Sequence, residues 1–281
     1  MTPDLDEFAA PEDVAACDLT CAPLPGERAV NTHPQSLLER ATHFCPGCHH
    51  GIVHRIVAEL LDEMNLREKA VCIASIGCSA FIYNYIDVDV LEAPHGRGPA
   101  AGTGVKSARP DAFVFTYQGN GDLASIGIAE IIHAAARGEN MSIVFVNNTV
   151  YGMTGGQMAP TTLPGQKTTT CPEGRCAERE GGPIRMTEII AGLDGTAYAA
   201  RVSLHDVKHI RQAKKALRRA FEVQERKLGL GFVELLSGCP TNWRLSAVAA
   251  NERIANEMIP AFPLGVFKDA PAECTCAEVT A

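Results

Sequence analysis

The sequence predicts an α/β fold, a doubly wound and mostly parallel sheet, and three observations carry that expectation. Short runs of β-branched and aromatic residues, apolar on both faces as buried parallel strands must be, alternate with longer stretches of helical periodicity. Glycine- and asparagine-rich segments follow those runs, at the carboxyl ends of strands where open α/β sheets hold ligands. The 281 residues are 46% apolar, 21% charged and 6% aromatic, the make-up of a globular chain with enough length to bury a substantial core.

Residues 1–35, rich in Pro, Asp, Glu and Ala and without sustained periodicity, read as an extended N-terminal arm, with a disordered tail as the alternative. From Gly51 to Met64 the apolar positions Ile52, Val53, Ile56, Val57, Leu60, Leu61 and Met64 fall at helical spacing. Ala70–Ile76, Ala112–Tyr117 and Met141–Val146 are too short for helices and read as strands, with a helical pattern over Ala124–Arg137 between the last two. After Gly195 the alternation recurs: a strand at 197–202, a helix from about Asp206 to Lys227, and a strand at 231–236. In that helix Val207, Ile210, Ala213, Leu217 and Phe221 form the apolar stripe, and the lysines and arginines opposite read as a solvated face. Tyr151–Pro183 has scarcely any periodicity, and a loop this long directly after a strand is usually functional. Residues 36–270 are expected to form the main domain, with 271–281 as a C-terminal tail.

With 33 acidic and 25 basic residues the formal charge is −8, which argues against a nucleic-acid surface. No run approaches the apolar length of a membrane helix, and the acidic first residues lack a basic leader region, so a cytoplasmic location with no membrane contact is expected. Eleven cysteines in a reducing compartment point to metal binding rather than disulfides.

The segment FTYQGNGDLASIGIAEIIHAAARGENMSIVFVNNTVYGMTGGQ reads as a strand ending in Gly-Asn-Gly-Asp, a helix, a strand ending in Asn-Asn, and a glycine-rich loop. Glycines at the first turn bring backbone N–H groups toward an anion at the helix N-terminus, which suits a phosphate. Asn120 or Asp122 on one strand end and Asn148 on the other, with 27 residues between Asn120 and Asn148, would jointly hold a hard cation, magnesium being the natural choice. The second constellation is of cysteines. FCPGCHHG holds Cys45 and Cys48 in a tight turn, compatible with a zinc half-site, a redox pair or an iron–sulfur half-site. Cys78 in IGCSAF and Cys239 in SGCPTNW each follow a strand, so four thiolates are expected beside the glycine turns, where they make a site for a [4Fe–4S] cluster.

The glycine–asparagine pair resembles the thiamine-diphosphate motif, and NNTVYGMTGGQMAPTT looks like the thiamine-binding (beta) subunit of 2-oxoacid:ferredoxin oxidoreductases. CPGC, GCS and SxCPTNW match the same family's cluster ligands, Cys45, Cys48, Cys78 and Cys239, and similarity runs from Phe44 to Asp269. The resemblance implies the family's diphosphate-domain fold. It makes the side chains of Asn120 and Asn148 and the carbonyl of Val150 the magnesium ligands, with Gly121, Asp122 and Thr154 along the diphosphate. It also assigns Gly77, Cys78, Ser79, Gly119, Leu123, Tyr151, Gly152 and Met153 to the cofactor, and His50 to the position that approaches it. The family usually has Asp at position 120, so Asp122 is kept as the alternative ligand. In PHGRGPAAGTGVKSARPD (94–111), which resembles a loop near the thiazolium, His95 and Arg97 touch substrate or cofactor, or else serve as cap and salt-bridge residues. His49 reads as an incidental surface histidine.

The implied activity is oxidative decarboxylation of a 2-oxoacid to acyl-CoA and CO₂, with electrons passing through the cluster. The loop looks closer to enzymes for branched-chain 2-oxoacids or 2-oxoglutarate than for pyruvate. One motif set in one chain implies half an active site, completed by a larger alpha-type subunit, with a gamma-type subunit and a ferredoxin-like [4Fe–4S] subunit or ferredoxin as further partners. Two alternatives stand beside it: a structural zinc subunit with a degenerate thiamine site, and a non-oxidative thiamine-dependent decarboxylase. Cys72 reads as a buried thiol. The pairs Cys17/Cys21, Cys171/Cys176 and Cys274/Cys276 read as a second metal site or as solvent-side thiols.

Overall fold

The apolar runs become strands and the periodic stretches helices, because a strand covered on both faces tolerates few polar side chains while a helix on the sheet needs only one apolar stripe. The computed structural model describes residues 32–271; most of the expected arm and tail, with Cys17, Cys21, Cys274 and Cys276, lies outside the described residues. In chain order the elements are α1 (His50–Glu63), β1 (Ala70–Ser75), β2 (Asp89–Ala93), α2 (Gly98–Ala108), β3 (Phe113–Gly119), α3 (Ile128–Ala136) and β4 (Ser142–Asn147). A short hairpin follows, β5 (Val150–Tyr151) and β6 (Gln157–Met158), then α4 (Ala177–Glu180), α5 (Met186–Ala191), β7 (Thr196–Ser203), α6 (Val207–Glu225) and β8 (Leu230–Leu236). The last are α7 (Pro240–Trp243), α8 (Ala247–Arg253) and β9 (Gly265–Asp269). The chain divides after His33, and all of these elements belong to the second unit.

Seven strands form one sheet in the order β2-β1-β3-β4-β8-β7-β9, parallel except for β9, which runs antiparallel to β7. The chain passes from β1 outward to β2 but from β3 inward to β4, so the order reverses between β1 and β3 and a crevice opens beyond their carboxyl ends. One face of the sheet is covered by α1 and α6, with Val53, Val57, Leu61, Leu217 and Phe221 against Phe113, Phe115 and Val144. On the other face Ile131, Met186 and Ile190 from α3 and α5 meet Ile73, Val114, Phe145 and Phe232. A smaller cluster around Trp243, Ile254 and Phe262 packs beyond the end of β8.

Several boundaries differ from the sequence expectation. The edge strands β2 and β9 carry mostly exposed side chains and so leave no apolar run to detect. Residues 94–111, matched to a loop, contain the helix α2, which Pro99 starts in its first turn. The helical pattern from Ala124 begins as a π turn, Asp122–Ile126, before α3 proper. Val207, at the first turn of α6, is 65% exposed, and the buried stripe is Ala213, Ala216, Leu217, Ala220 and Phe221. The basic face of α6 does more than meet water: Lys214 reaches Glu59 (2.6 Å) and Glu63 (2.7 Å) on α1. No helix among the described residues is long and apolar enough to cross a membrane.

Candidate active site

The ends of β1, β3 and β4 line a cavity that opens to solvent, with about 590 Å³ of empty space including part of that opening. Gly77, Cys78 and Ser79 come from the turn after β1, Gly119, Asn120, Gly121 and Asp122 from the turn after β3, and Asn148, Tyr151, Gly152, Met153 and Thr154 from the loop after β4. His50 and His95 complete the wall. Glycine is required at two of these positions for different reasons. Gly77 has φ +118°, closed to other residues, and a Cβ at Gly121 would lie 2.2 Å from the Tyr151 ring. At Gly119 a Cβ would project into open space, leaving backbone accessible to an anion.

The geometry separates the two candidate cation ligands after β3. Both oxygens of buried Asp122 are taken: Oδ1 accepts from Gly96 N–H (2.7 Å) and His95 Nδ1 (2.7 Å), and Oδ2 from Gln118 Nε2 (2.6 Å). Asn120 donates through Nδ2 to Thr161 Oγ1 (3.0 Å), and among the described residues no donor reaches its Oδ1. Its carbonyl oxygen is therefore the available acceptor at the cavity wall, while Asp122 ties the turn to residues 95 and 96. Across the cavity, Asn148 Oδ1 accepts from Val150 N–H (3.3 Å). The Val150 side chain is buried in the Trp243 cluster.

His50 is 3% exposed, hydrogen-bonds Tyr117 through Nδ1 and stacks on Phe44 with centroids 4.9 Å apart. Burial, reinforced by the neighbouring His49 and His43, lowers its pKa to about 4, so the imidazole is neutral. Arg97 does not line the cavity; it pairs with Glu130 on α3. Leu123 is fully buried beneath the turn, in the core under α3. His49 is not on the surface. It is 4% exposed, accepts the Gly238 N–H at Nδ1 (3.2 Å) and meets Asn251 at Nε2 (3.0 Å), so it ties the Cys45–Cys48 turn to the end of β8 and to α8. Thr161 and Tyr117, which hold Asn120 and His50, carry no local sequence signal, since they sit 41 and 67 residues from their partners.

The four cysteines converge at one side of this cavity. Cys48 N–H closes the turn on Cys45 O (2.9 Å), and Gly47 presses so closely on α8 that a Cβ would lie 2.5 Å from Ala247 Cβ. A Cβ on Gly152 would meet Cys78 Sγ at 3.5 Å and Cys239 Sγ at 3.6 Å, so the loop after β4 and the cysteines share one wall. Burial, with added repulsion from the other three thiols, pushes Cys48 up to about 12, and burial followed by Cys239 and Cys45 pushes Cys78 up to about 11. Such a group of thiolates needs a cation. Four convergent thiols of this kind have the ligand chemistry for a zinc ion or an iron–sulfur cluster. Cys72 is fully buried, and Cys171, 7% exposed, is buried rather than on the solvent side.

A crevice at the strand-order reversal, with glycine turns and amide oxygens around it, defines a class of α/β cofactor protein, and sequence comparison agrees: residues 75–229 match the family Thiamine pyrophosphate enzyme, C-terminal TPP binding domain. Ketoisovalerate oxidoreductase subunit VorA from Methanothermobacter thermautotrophicus is 51% identical over 233 residues, 83% of this chain and 49% of that protein. 2-Oxoglutarate synthase subunit KorB from Archaeoglobus fulgidus is 33% identical over 248 residues, 85% of this chain and 88% of that one. Among solved structures, 2-oxoglutarate:ferredoxin oxidoreductase from Magnetococcus marinus, with 2-oxoglutarate, coenzyme A and succinyl-CoA bound, superposes with a TM-score of 0.68 at 26% identity, covering 87% of each chain. The chain belongs to the family of thiamine-diphosphate-binding subunits of 2-oxoacid:ferredoxin oxidoreductases. It spans about half the length of the VorA subunit.

Proposed function

We propose that this chain serves a coenzyme A-dependent 2-oxoacid:ferredoxin oxidoreductase, in which a 2-oxoacid becomes an acyl-CoA and CO₂ while electrons leave through a [4Fe–4S] cluster. The observation that carries the reading is the shared wall: the loop that borders the diphosphate cavity lies against Cys78 and Cys239 at Gly152. When bound, thiamine diphosphate with Mg²⁺ supplies the electron sink for decarboxylation and the cluster takes electrons one at a time. The residues supply position and proton control. Gly119, Gly121 and Thr154 border the diphosphate, and Asn120, Asn148 and the Val150 carbonyl hold the Mg²⁺, with Asp122 keeping the turn in place. His50, neutral and anchored through Nδ1, offers its other ring nitrogen to the cavity for a proton. Cys45, Cys48, Cys78 and Cys239 hold the cluster. Gly77, Ser79, Tyr151 and Met153 shape the walls, and His95 acts through Asp122.

The four-thiol wall beside the cavity favours this reading over a non-oxidative decarboxylase, which has no use for a cluster, and metal analysis separates it from structural zinc. A larger alpha-type subunit that completes the site, a gamma-type subunit and a ferredoxin-like carrier are the expected partners, in the cytoplasm. A branched-chain 2-oxoacid is the first substrate to test and 2-oxoglutarate the second, following the names of the relatives. The test is anaerobic purification with co-expressed partners. Iron and sulfide near four per copy of this chain, after subtracting partner clusters, and absorption that bleaches on one 2-oxoacid with coenzyme A, are the expected results. Zinc in place of iron, with no bleaching on any 2-oxoacid, overturns the oxidoreductase reading.

A further inference from the structure

The first asparagine of the Asn-Asn pair, Asn147, has no part in the chemistry above, yet it is fully buried at the end of β4. Its Nδ2 donates to Glu234 Oε1 (2.8 Å) on β8, and its Oδ1 accepts the N–H of Thr149 (3.1 Å). Glu234, itself fully buried, is gripped in turn by Arg201 Nε (2.8 Å) and by the Thr187 hydroxyl. Thr149 stands at φ +62°, a left-handed conformation that β-branched residues avoid unless their surroundings enforce it. The enforcement is visible on both sides: Asn147 holds its N–H, and its carbonyl accepts from Thr162 Oγ1 (2.6 Å) and Gln166 Nε2 (3.4 Å).

Thr149 lies between Asn148 and Val150, so its backbone rotation sets where the Asn148 side chain stands relative to the Val150 carbonyl. We propose that Asn147, fixed by Glu234, is a positioning residue that holds Thr149 left-handed and so presents Asn148 and the Val150 carbonyl as a preformed pair for the divalent cation of the diphosphate. This rests on the reading of the cavity as a thiamine-diphosphate site. It also separates the two asparagines of the motif by role, one for the cation and one for the backbone between the ligands.

The test measures Mg²⁺-dependent binding of thiamine diphosphate by calorimetry to this chain co-purified with the partner subunits that complete the site, with circular dichroism to verify folding. Wild type must bind; if it does not, the cofactor reading itself fails. Given binding, Asn147→Ala is expected to weaken it roughly ten- to a hundredfold, the usual effect of losing a group behind a metal ligand. Adding Thr149→Gly should then recover most of that loss, because glycine takes positive φ without help. A role for Asn147 in touching the cation directly predicts no recovery. Should Asn147→Ala fail to fold, Glu234→Gln with and without Thr149→Gly makes the same comparison. Loss without recovery, or no loss in the first variant that folds, overturns the proposal.

Discussion

At the scale of one residue, Gly152 stands between the cavity at the strand ends and the sulfurs of Cys78 and Cys239. An alanine methyl there would touch Cys78 Sγ at 3.5 Å and Cys239 Sγ at 3.6 Å, ordinary contacts for a protein atom but space that a cluster bound by those sulfurs would need. Gly152→Ala is therefore expected to leave the unfolding transition of the metal-free chain unchanged and to lower iron and sulfide content severalfold; metal analysis beside a thermal melt checks both. His54 gives a prediction in pH. It is 2% exposed, and burial, followed by the charges His50 and His43 would carry, holds its pKa well below 6.5. The folded chain keeps it neutral while the unfolded chain protonates it below pH 6.5, so the unfolded state binds more protons and stability falls as pH drops. The contribution is fully present above that pH, and about 1.4 kcal/mol of it is lost by pH 5.5. Denaturant midpoints at pH 7.5 and 5.5 should shift less in His54→Phe than in wild type, and equal shifts would rule this assignment out.

Among the elements, the long segment after β5 depends on one side chain. Arg175, 6% exposed, donates to the carbonyls of Ala159, Pro160, Thr162, Glu180, Gly181 and Gly182, so its guanidinium joins both ends of a stretch with little regular structure. That stretch includes Thr161, which orients Asn120, and Thr162, which holds Thr149. A lysine cannot span carbonyls that a planar fork reaches in several directions. Arg175→Lys should cost about 2–4 kcal/mol from carbonyls left unpaired and speed hydrogen exchange across 159–182 relative to the sheet. An unchanged exchange pattern would show that other contacts hold the segment. The sequence marks this region only as glycine-rich and aperiodic, because main-chain carbonyls as acceptors leave no residue pattern. The helices that carry periodic stripes, α1 and α6, are by contrast legible nearly to their ends; Val207 is misread only because a first-turn residue can keep the stripe's spacing without facing the sheet.

At the scale of the molecule, β4, β7, β8 and α5 are joined by a buried polar network: Glu234 accepts from Asn147, Thr187 and Arg201, and Arg201 also engages Glu188. Removing Glu234 leaves the buried Arg201 with only the partly exposed Glu188 and leaves Asn147 and Thr187 without their acceptor. Glu234→Leu is expected to destabilise the chain by about 3–5 kcal/mol, read as a lower denaturant midpoint, whereas Lys214→Met, which removes a half-exposed link between α1 and α6, should cost under about 1 kcal/mol. If the two variants behaved alike, burial would not be what gives the network its weight.

The sequence by itself determined the alternation of strands and helices, the two glycine turns, the asparagine pair and the four cysteines, because period, turn chemistry and ligand type are all written in residues near one another. It left Asn120 and Asp122 undecided and put His49 at the surface. Only the tertiary structure shows where these side chains stand and which of their atoms are taken, through Gly96, His95 and Gln118 filling Asp122, Thr161 turning Asn120, and Gly238 and Asn251 enclosing His49. The physical reason is common to all three. Which lone pair of a side chain stays free depends on the donors that reach it, and most of those donors arrive from distant parts of the chain.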